Sequence, residues 1–386
     1  MVSRSNHDFP ESLLSERIEV RRDYFTSKVI LHPMLKHVYD TALDNIKQAT
    51  KGTLVFIFGP TGVGKTTLRR KLATHIINET LPELQGDPER IPVIEIEVLS
   101  PDSGRFDWTD YYLRSLKALQ DVRVNYRHDH RVYAPFVRES EDGPVGNLTR
   151  RELRVALETA LRYRRPLAFL HDEAQHFKAV AGAKQLLSQM DTIKSLASLT
   201  ETILVFFGTY ELLDLTNLSG QLGRRSIDIH FPRYLIDSAE FKNVLWTFQR
   251  HLPLEREPDL IKHYEYIYYQ TAGCVGVLKD WLTHALELAL REKAETLLET
   301  HLQQSALIQP KLLQMAREIQ EGETQIQTTQ EADAEIRRLL LQAPAIILKK
   351  KNRSGVSRAP QVSQLTSARK QTRRIGERKP VRDRVN

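Results

Sequence analysis

Gly59-Pro60-Thr61-Gly62-Val63-Gly64-Lys65-Thr66 lies between an apolar run, Thr53 to Phe58, and a run from Thr67 to Ala73 that suits a helix. It fits the pattern G-x-x-x-x-G-K-[ST] without a mismatch, in the order strand, glycine-rich turn, helix. Glycine lets successive backbone N–H groups turn inward around a polyphosphate. Lys65 then places a point charge on the outer phosphates, and Thr66 offers a hydroxyl to a metal. Gly59, Pro60, Thr61, Gly62, Val63, Gly64, Lys65, Thr66 and Thr67 are therefore expected to hold a nucleoside triphosphate. The bland reading of such a stretch is an ordinary surface turn.

Composition bounds what surrounds this loop. A chain of 386 residues with 41% apolar and 27% charged residues is long enough for one large or two modest domains with real cores. A single cysteine, Cys274, excludes an internal disulfide and fits a reducing, cytoplasmic setting. No apolar stretch approaches the ~20 residues needed to cross a bilayer, so no membrane partner is expected. Met1 to Pro10 is polar rather than signal-like. The net charge of +7 is uneven: residues 346–386 hold thirteen Lys or Arg against Glu377 and Asp383, a tail of +11 that leaves −4 for the rest.

Strand-like runs follow the loop at Pro92–Leu99, Leu167–His171, Ile203–Phe207 and Ser226–Phe231. Helical patterns lie between them at Trp108–Leu119, Thr149–Tyr163 and Ala183–Leu199. Alternation of this kind predicts an α/β fold, a five-stranded parallel sheet between helices with its ligand at the carboxyl ends of the strands. After Pro232 the pattern turns helical, at Glu240–His251, Leu260–Thr271 and Val277–Leu302. From about Ile319 the sequence is rich in Glu, Gln and Thr, with a short helix expected at Asp333–Leu341. The expected organisation is an N-terminal extension (1–27), an α/β nucleotide-binding domain (28–232), a small helical lid (233–302), a helical or polar linker (303–345) and a basic tail (346–386), disordered when free.

Leu167-Ala-Phe-Leu-His-Asp172-Glu173 is an apolar strand ending in two carboxylates, about 107 residues after Lys65. Asp172 would hold Mg2+ through water, and Glu173 would orient or deprotonate the attacking water. His171 reads either as a satisfied core histidine or as a ligand. Gly208-Thr209 ends the next strand. Thr209 thus puts a hydroxyl beside the γ phosphate if that strand neighbours the phosphate-loop strand; otherwise it caps a helix at Glu211–Leu215. Arg224 and Arg225 precede the last strand, where an arginine could reach a neighbouring subunit's nucleotide and neutralise charge on the transferred phosphoryl group. The plainer reading is a cation complementing a helix C-terminus.

In this order these parts resemble the AAA+ ATPases. Tyr24-Phe-Thr-Ser-Lys-Val-Ile-Leu-His32-Pro33, Asp172-Glu-Ala-Gln-His176, Gly208-Thr-Tyr-Glu211 and Gln221-Leu-Gly-Arg-Arg225 narrow the likeness to transposition regulators of the TnsC/TniB type, including CRISPR-associated ones. The resemblance implies an ATPase using ATP and Mg2+, catalytic roles for Lys65, Asp172, Glu173, Thr209, Arg224 and Arg225, and nucleotide contacts from Val29 and Ile30. Many relatives carry a lid arginine on the nucleotide; Lys279 stands in that region here, a point charge without the bidentate fork. The resemblance further implies polymerisation, as ring or helical filament, around double-stranded DNA. It implies a target selector of the TniQ or TnsD type, and a transposase of the TnsB or TnsAB type recruited to the assembly and engaged through the tail. Hydrolysis would drive disassembly.

DNA wound by subunits would be met at its phosphates. Arg105, Arg114 and Lys117, with Trp108, Tyr111 and Tyr112 interleaved, and Arg150, Arg151 and Arg154 are the candidates; each group reads equally as a solvated helix face, and the aromatics as core. The tail reads as a DNA-attracting run or as a hook that folds on a partner. The alternatives to a transposition regulator are another DNA-associated AAA+ machine of initiator or loader type, and a DNA-independent ATPase switch. The first would carry a DNA-reading domain after the lid, and residues 303–386 are polar for one. The second usually carries sensor repeats, and no repeat is visible.

Overall fold

The computed structural model describes residues 7–101, 104–121, 149–179, 182–216 and 226–341. The chain divides into two compact units, Met1–Gln330 and Glu331–Asn386. In the second, the described residues, 331–341, are helical. Arg224, Arg225 and the basic tail lie outside the described residues.

Five strands form one parallel sheet: β1 (Leu54–Phe58), β2 (Val93–Glu97), β3 (Ala168–Asp172), β4 (Ile203–Gly208) and β5 (Ser226–His230), in the order β2-β3-β4-β1-β5. The three central strands, β3, β4 and β1, are buried at every position. This explains the apolar runs of β1 and β4 and of Ala168–Leu170 in β3, since a parallel strand covered by helices on both faces has no solvent side to alternate toward. Each fully buried Leu, Ile or Phe contributes about 1.5–3 kcal/mol of transfer free energy.

The register fixes what the strand ends can meet. Phe58, which leads into the phosphate loop, pairs with Gly208 at the end of β4 and with His230 at the end of β5. Glu97 pairs with Asp172 across β2 and β3. The expected neighbourhood of β1 and β4 is therefore present, and Thr209 leaves the sheet beside the start of the loop.

The helices α2 (Pro33–Gln48) and α3 (Lys65–Leu84) pack their apolar faces with one side of the sheet, and α4 (Trp108–Asp121), α5 (Arg150–Arg164) and α6 (Ala183–Thr200) cover the other. Helix α5 starts with a capping box: the Thr149 hydroxyl accepts the Glu152 N–H at 3.3 Å, while Glu152 accepts the Thr149 N–H at 2.7 Å. Trp108, Tyr111 and Tyr112 are buried in this core. His171 is also buried; its Nε2 meets the Tyr111 hydroxyl at 2.9 Å and its Nδ1 the Val205 carbonyl at 3.3 Å. Burial pushes its pKa down to about 3, so it is a neutral, satisfied core histidine.

The short helix α7 (Leu212–Thr216) follows β4. Beyond β5 come α8 (Ala239–His251), α9 (Tyr264–Thr271), α10 (Val275–Arg291) and α11 (Glu299–Gln304), with their own core around Leu245, Phe248, Leu278, Leu282 and Leu286. The run expected as one helix from Val277 to Leu302 breaks between α10 and α11, where Lys293 has a positive φ of 55°.

Two further elements differ from the sequence expectation. Ile18–Ser27 is a helix, α1, whose Phe25 is buried in the lid core rather than in the α/β core. A long helix, α12 (Gln309–Leu341), runs through residues 309–341 of the helical or polar linker expected at 303–345 and takes in the short helix expected at Asp333–Leu341. It is held by Leu312, Met315 and Ile319, one face at helical spacing, against Cys274. No helix among the described residues is long and apolar enough to cross a membrane.

Candidate nucleotide site

The loop between β1 and α3 has the backbone that its glycines imply. Gly62 and Gly64 have φ of 75° and 117°, a region costly for residues with a Cβ. A Cβ on Gly59 would sit 2.1 Å from the Phe231 carbonyl oxygen, because the chain leaving β5 passes directly over it. The lid meets the loop at its tip: the N–H groups of Gly276 and Val277, in the first turn of α10, donate to the Gly62 carbonyl at 2.7 and 3.3 Å.

Lys65 opens α3 and is buried, its ammonium donating to the carbonyls of Gly59 at 2.9 Å and Pro60 at 2.8 Å. Burial pulls its pKa down, and the nearby Glu173 carboxylate opposes that shift. The cation thus sits desolvated at the loop, where polyphosphate oxygens could take the place of the two carbonyls.

Asp172, buried at the end of β3, has both oxygens engaged. Oδ2 accepts from Arg69 at 3.0 Å, and Oδ1 accepts the Glu173 N–H at 3.1 Å. Arg69 also pairs with Glu95 on β2. Hard oxygens of a hydroxyl and a carboxylate suit Mg2+, and a carboxylate already committed at both oxygens suits a metal held through water. Thr66 and Asp172 carry donor groups of the kind that Mg2+ takes. Arg69 and Glu95 escaped the sequence reading, although Arg69 lies four residues after Lys65, on the same face of α3.

Glu173 has a left-handed backbone, φ 52°, at the start of the tight turn Ala174–Lys178. Its Oε2 accepts from Gln175 Nε2 at 2.5 Å. The Oε1 of Gln175 in turn accepts the Thr209 N–H at 3.3 Å. The Thr209 hydroxyl accepts the Glu211 N–H at 3.4 Å, so it caps the turn before α7 as well as standing beside the loop.

The remaining candidates are placed as follows. Val29 and Ile30 line a cavity of about 300 Å3 with Asn243, Val244 and Thr247 of α8. Lys279 donates to the Thr26 carbonyl at 2.5 Å, complementing the C-terminal end of α1. Arg105, Lys117, Arg150 and Arg151 are exposed. Arg114 pairs with Asp110 at 2.8 Å, and Arg154 pairs with Glu158 at 2.8 Å, both one turn along their own helices. Helices α4 and α5 pack side by side, so the cations of the two segments share one flank of the sheet.

A wall of the site was not anticipated. The Thr61 hydroxyl, in the loop itself, donates to both oxygens of Glu318 on α12, at 3.0 and 3.1 Å. Gly322 lies so close to Tyr210 that a Cβ would come within 2.1 Å of its ring. Glu323 pairs with Arg233 at 2.8 Å.

A phosphate loop, an acidic pair ending the third strand and a polar residue ending the fourth, on a parallel sheet of this order, define an AAA+ P-loop NTPase domain. Residues 48–216 match the family model described as the AAA domain. Among solved structures the chain is similar to Drosophila ORC bound to DNA, with 16% identity, 79% of this chain and 68% of that chain covered, and a TM-score of 0.45. It is also similar to the Aeropyrum pernix ORC1 protein in complex with DNA, at 16% identity, 74% and 68% coverage and a TM-score of 0.47. A Walker-type ATPase of Pyrococcus abyssi is similar at 15% identity, 80% and 81% coverage and a TM-score of 0.46. No curated protein matches the chain.

Proposed function

We propose that this protein is an ATP- and Mg2+-dependent ATPase that regulates DNA transposition from the cytoplasm, assembling on duplex target DNA and leaving it as ATP is hydrolysed. The observation that carries the ATPase reading is the convergence of Lys65, Asp172, Glu173 and Thr209 at the carboxyl edge of one parallel sheet, where the register pairs Phe58 with Gly208 and the bridge through Gln175 ties β3 to β4.

In this reading the loop N–H groups and Lys65 bind the phosphates, Thr66 and the water-linked Asp172 hold the metal, and Glu173 takes the proton of the attacking water. Thr209 senses the γ phosphate. The adenine ring lies in the slot of Val29 and Ile30, and Lys279 contributes a lid charge once its contact with Thr26 is exchanged. Arg224 and Arg225 complete a neighbour's site, which makes hydrolysis depend on assembly.

The flank shared by α4 and α5 is the proposed DNA face, reading phosphates through Arg105, Lys117, Arg150 and Arg151, with Arg114 and Arg154 released from their intrahelical pairs. Such contacts position without specifying sequence, so a target selector of the TniQ or TnsD type would choose the site. The tail, with thirteen cations in residues 346–386, is the proposed hook for a transposase of the TnsB or TnsAB type. A chain lacking residues 346–386 should hydrolyse ATP and assemble as the full chain does, yet lose transposase capture in a pull-down and insertion in a reconstituted transposition assay. Full insertion by that truncated chain would remove the hook.

A further inference from the structure

Gln175 has no binding or catalytic role above, yet its side chain touches both Glu173 and the chain at the end of β4. Its amide nitrogen donates to Glu173 Oε2 at 2.5 Å, and its amide oxygen accepts the Thr209 N–H at 3.3 Å. A primary amide can do both at once from two separate atoms, whereas a carboxylate in its place has no hydrogen to donate.

The surroundings are shaped to the bridge. Glu173 turns the chain through its left-handed backbone, and the tight turn that follows carries Gln175 back toward β4 while burying Ala174 and Phe177. Gly208 supplies the space: a Cβ there would stand 2.6 Å from Gln175 Oε1, closer than side chains tolerate. A glycine that ends a buried strand is thereby explained by the amide packed over it.

From this geometry we infer that Gln175 is a positioning residue, fixing the Glu173 carboxylate and coupling its orientation to the strand end that carries Thr209. The inference rests on the ATPase reading above. A general base must be held within hydrogen-bond reach of the water it deprotonates, and the amide N–H fixes one Glu173 oxygen while leaving the other for that water. Because the other end of the amide is held by the Thr209 backbone, a shift of Thr209 toward or away from a γ phosphate moves the carboxylate with it. Gln175 itself need not touch the nucleotide.

The test uses the full-length protein with Gln175→Ala and the near-isosteric Gln175→Glu, measuring kcat for steady-state ATP hydrolysis on duplex DNA together with ATP affinity. Gln175→Ala should lower kcat about ten-fold or more, a part of the about 10²–10⁴-fold that a positioned general base contributes, while ATP affinity stays within about two-fold. Gln175→Glu should lower kcat further, because a carboxylate has no hydrogen to donate to Glu173 Oε2 and repels it. Gln175→Asn, which keeps the amide on a shorter arm, should recover part of the loss. A purely structural role would leave the near-isosteric Glu variant active. Variants with wild-type kcat overturn the inference alone, whereas a wild-type protein without turnover overturns the ATPase reading and this inference with it.

Discussion

Lys65→Ala is expected to lose ATP binding, not merely turnover, with affinity falling by about two orders of magnitude or more. The ammonium is buried against the Gly59 and Pro60 carbonyls at 2.9 and 2.8 Å, so it is already desolvated and aimed at the centre of the loop. Charge-assisted hydrogen bonds contribute roughly 1.5–3 kcal/mol each, and two of them to phosphate oxygens account for a hundred-fold change at about 1.4 kcal/mol per decade. The loop should survive the substitution, because its shape is set by Gly62, Gly64 and the lid contacts to the Gly62 carbonyl rather than by the lysine alone. Calorimetric titration of ATP-Mg2+ into the folded variant reads the effect. Binding within about ten-fold of wild type would mean that the phosphates lie elsewhere.

Glu173→Gln should have the opposite signature: ATP held with near wild-type affinity and kcat reduced by about 10²–10⁴-fold, the usual contribution of a positioned general base. The substitution preserves shape and removes only the proton acceptor, and the neighbouring Gln175 can still hydrogen-bond the new amide. Since disassembly is assigned to hydrolysis, DNA-bound assemblies of this variant should outlast wild-type ones after excess nucleotide is removed. Turnover within ten-fold of wild type, or equally fast disassembly, would take the catalytic role away from Glu173.

Much of the α/β unit was legible because two kinds of signal agreed. Strands buried on both faces favour apolar runs, and β1, β4 and the first three residues of β3 are such runs. Loop chemistry then located the ligand edge through glycines whose positive φ the structure contains. The acidic pair was legible for the same reason, since Asp172 ends a run too apolar to lie at the surface.

What sequence reading missed depends on contacts between distant segments. Arg69, Glu95 and Asp172 come from three elements, and only the sheet order β2-β3 beside α3 brings them together. Gln175 stood in a quoted motif, but its partner is a backbone N–H on another strand, which no spacing reveals. Helix α12 was read as linker because its composition is polar. Its anchoring residues, Leu312, Met315 and Ile319, repeat at helical spacing, but the contacts of Glu318 with Thr61 and of Glu323 with Arg233 follow from folding alone. Helix α1 was overlooked because Phe25 is its one fully buried side chain.

The central claim is that this nucleotide site times an assembly on DNA, and direct imaging tests it. Purified full-length protein with a non-hydrolysable ATP analogue, Mg2+ and duplex DNA should form rings or filaments around the duplex by electron microscopy. Omitting the nucleotide, or using Lys65→Ala, should leave the DNA bare. A protein that stays monomeric with both ligands present, or that coats DNA equally well without nucleotide, would contradict the account.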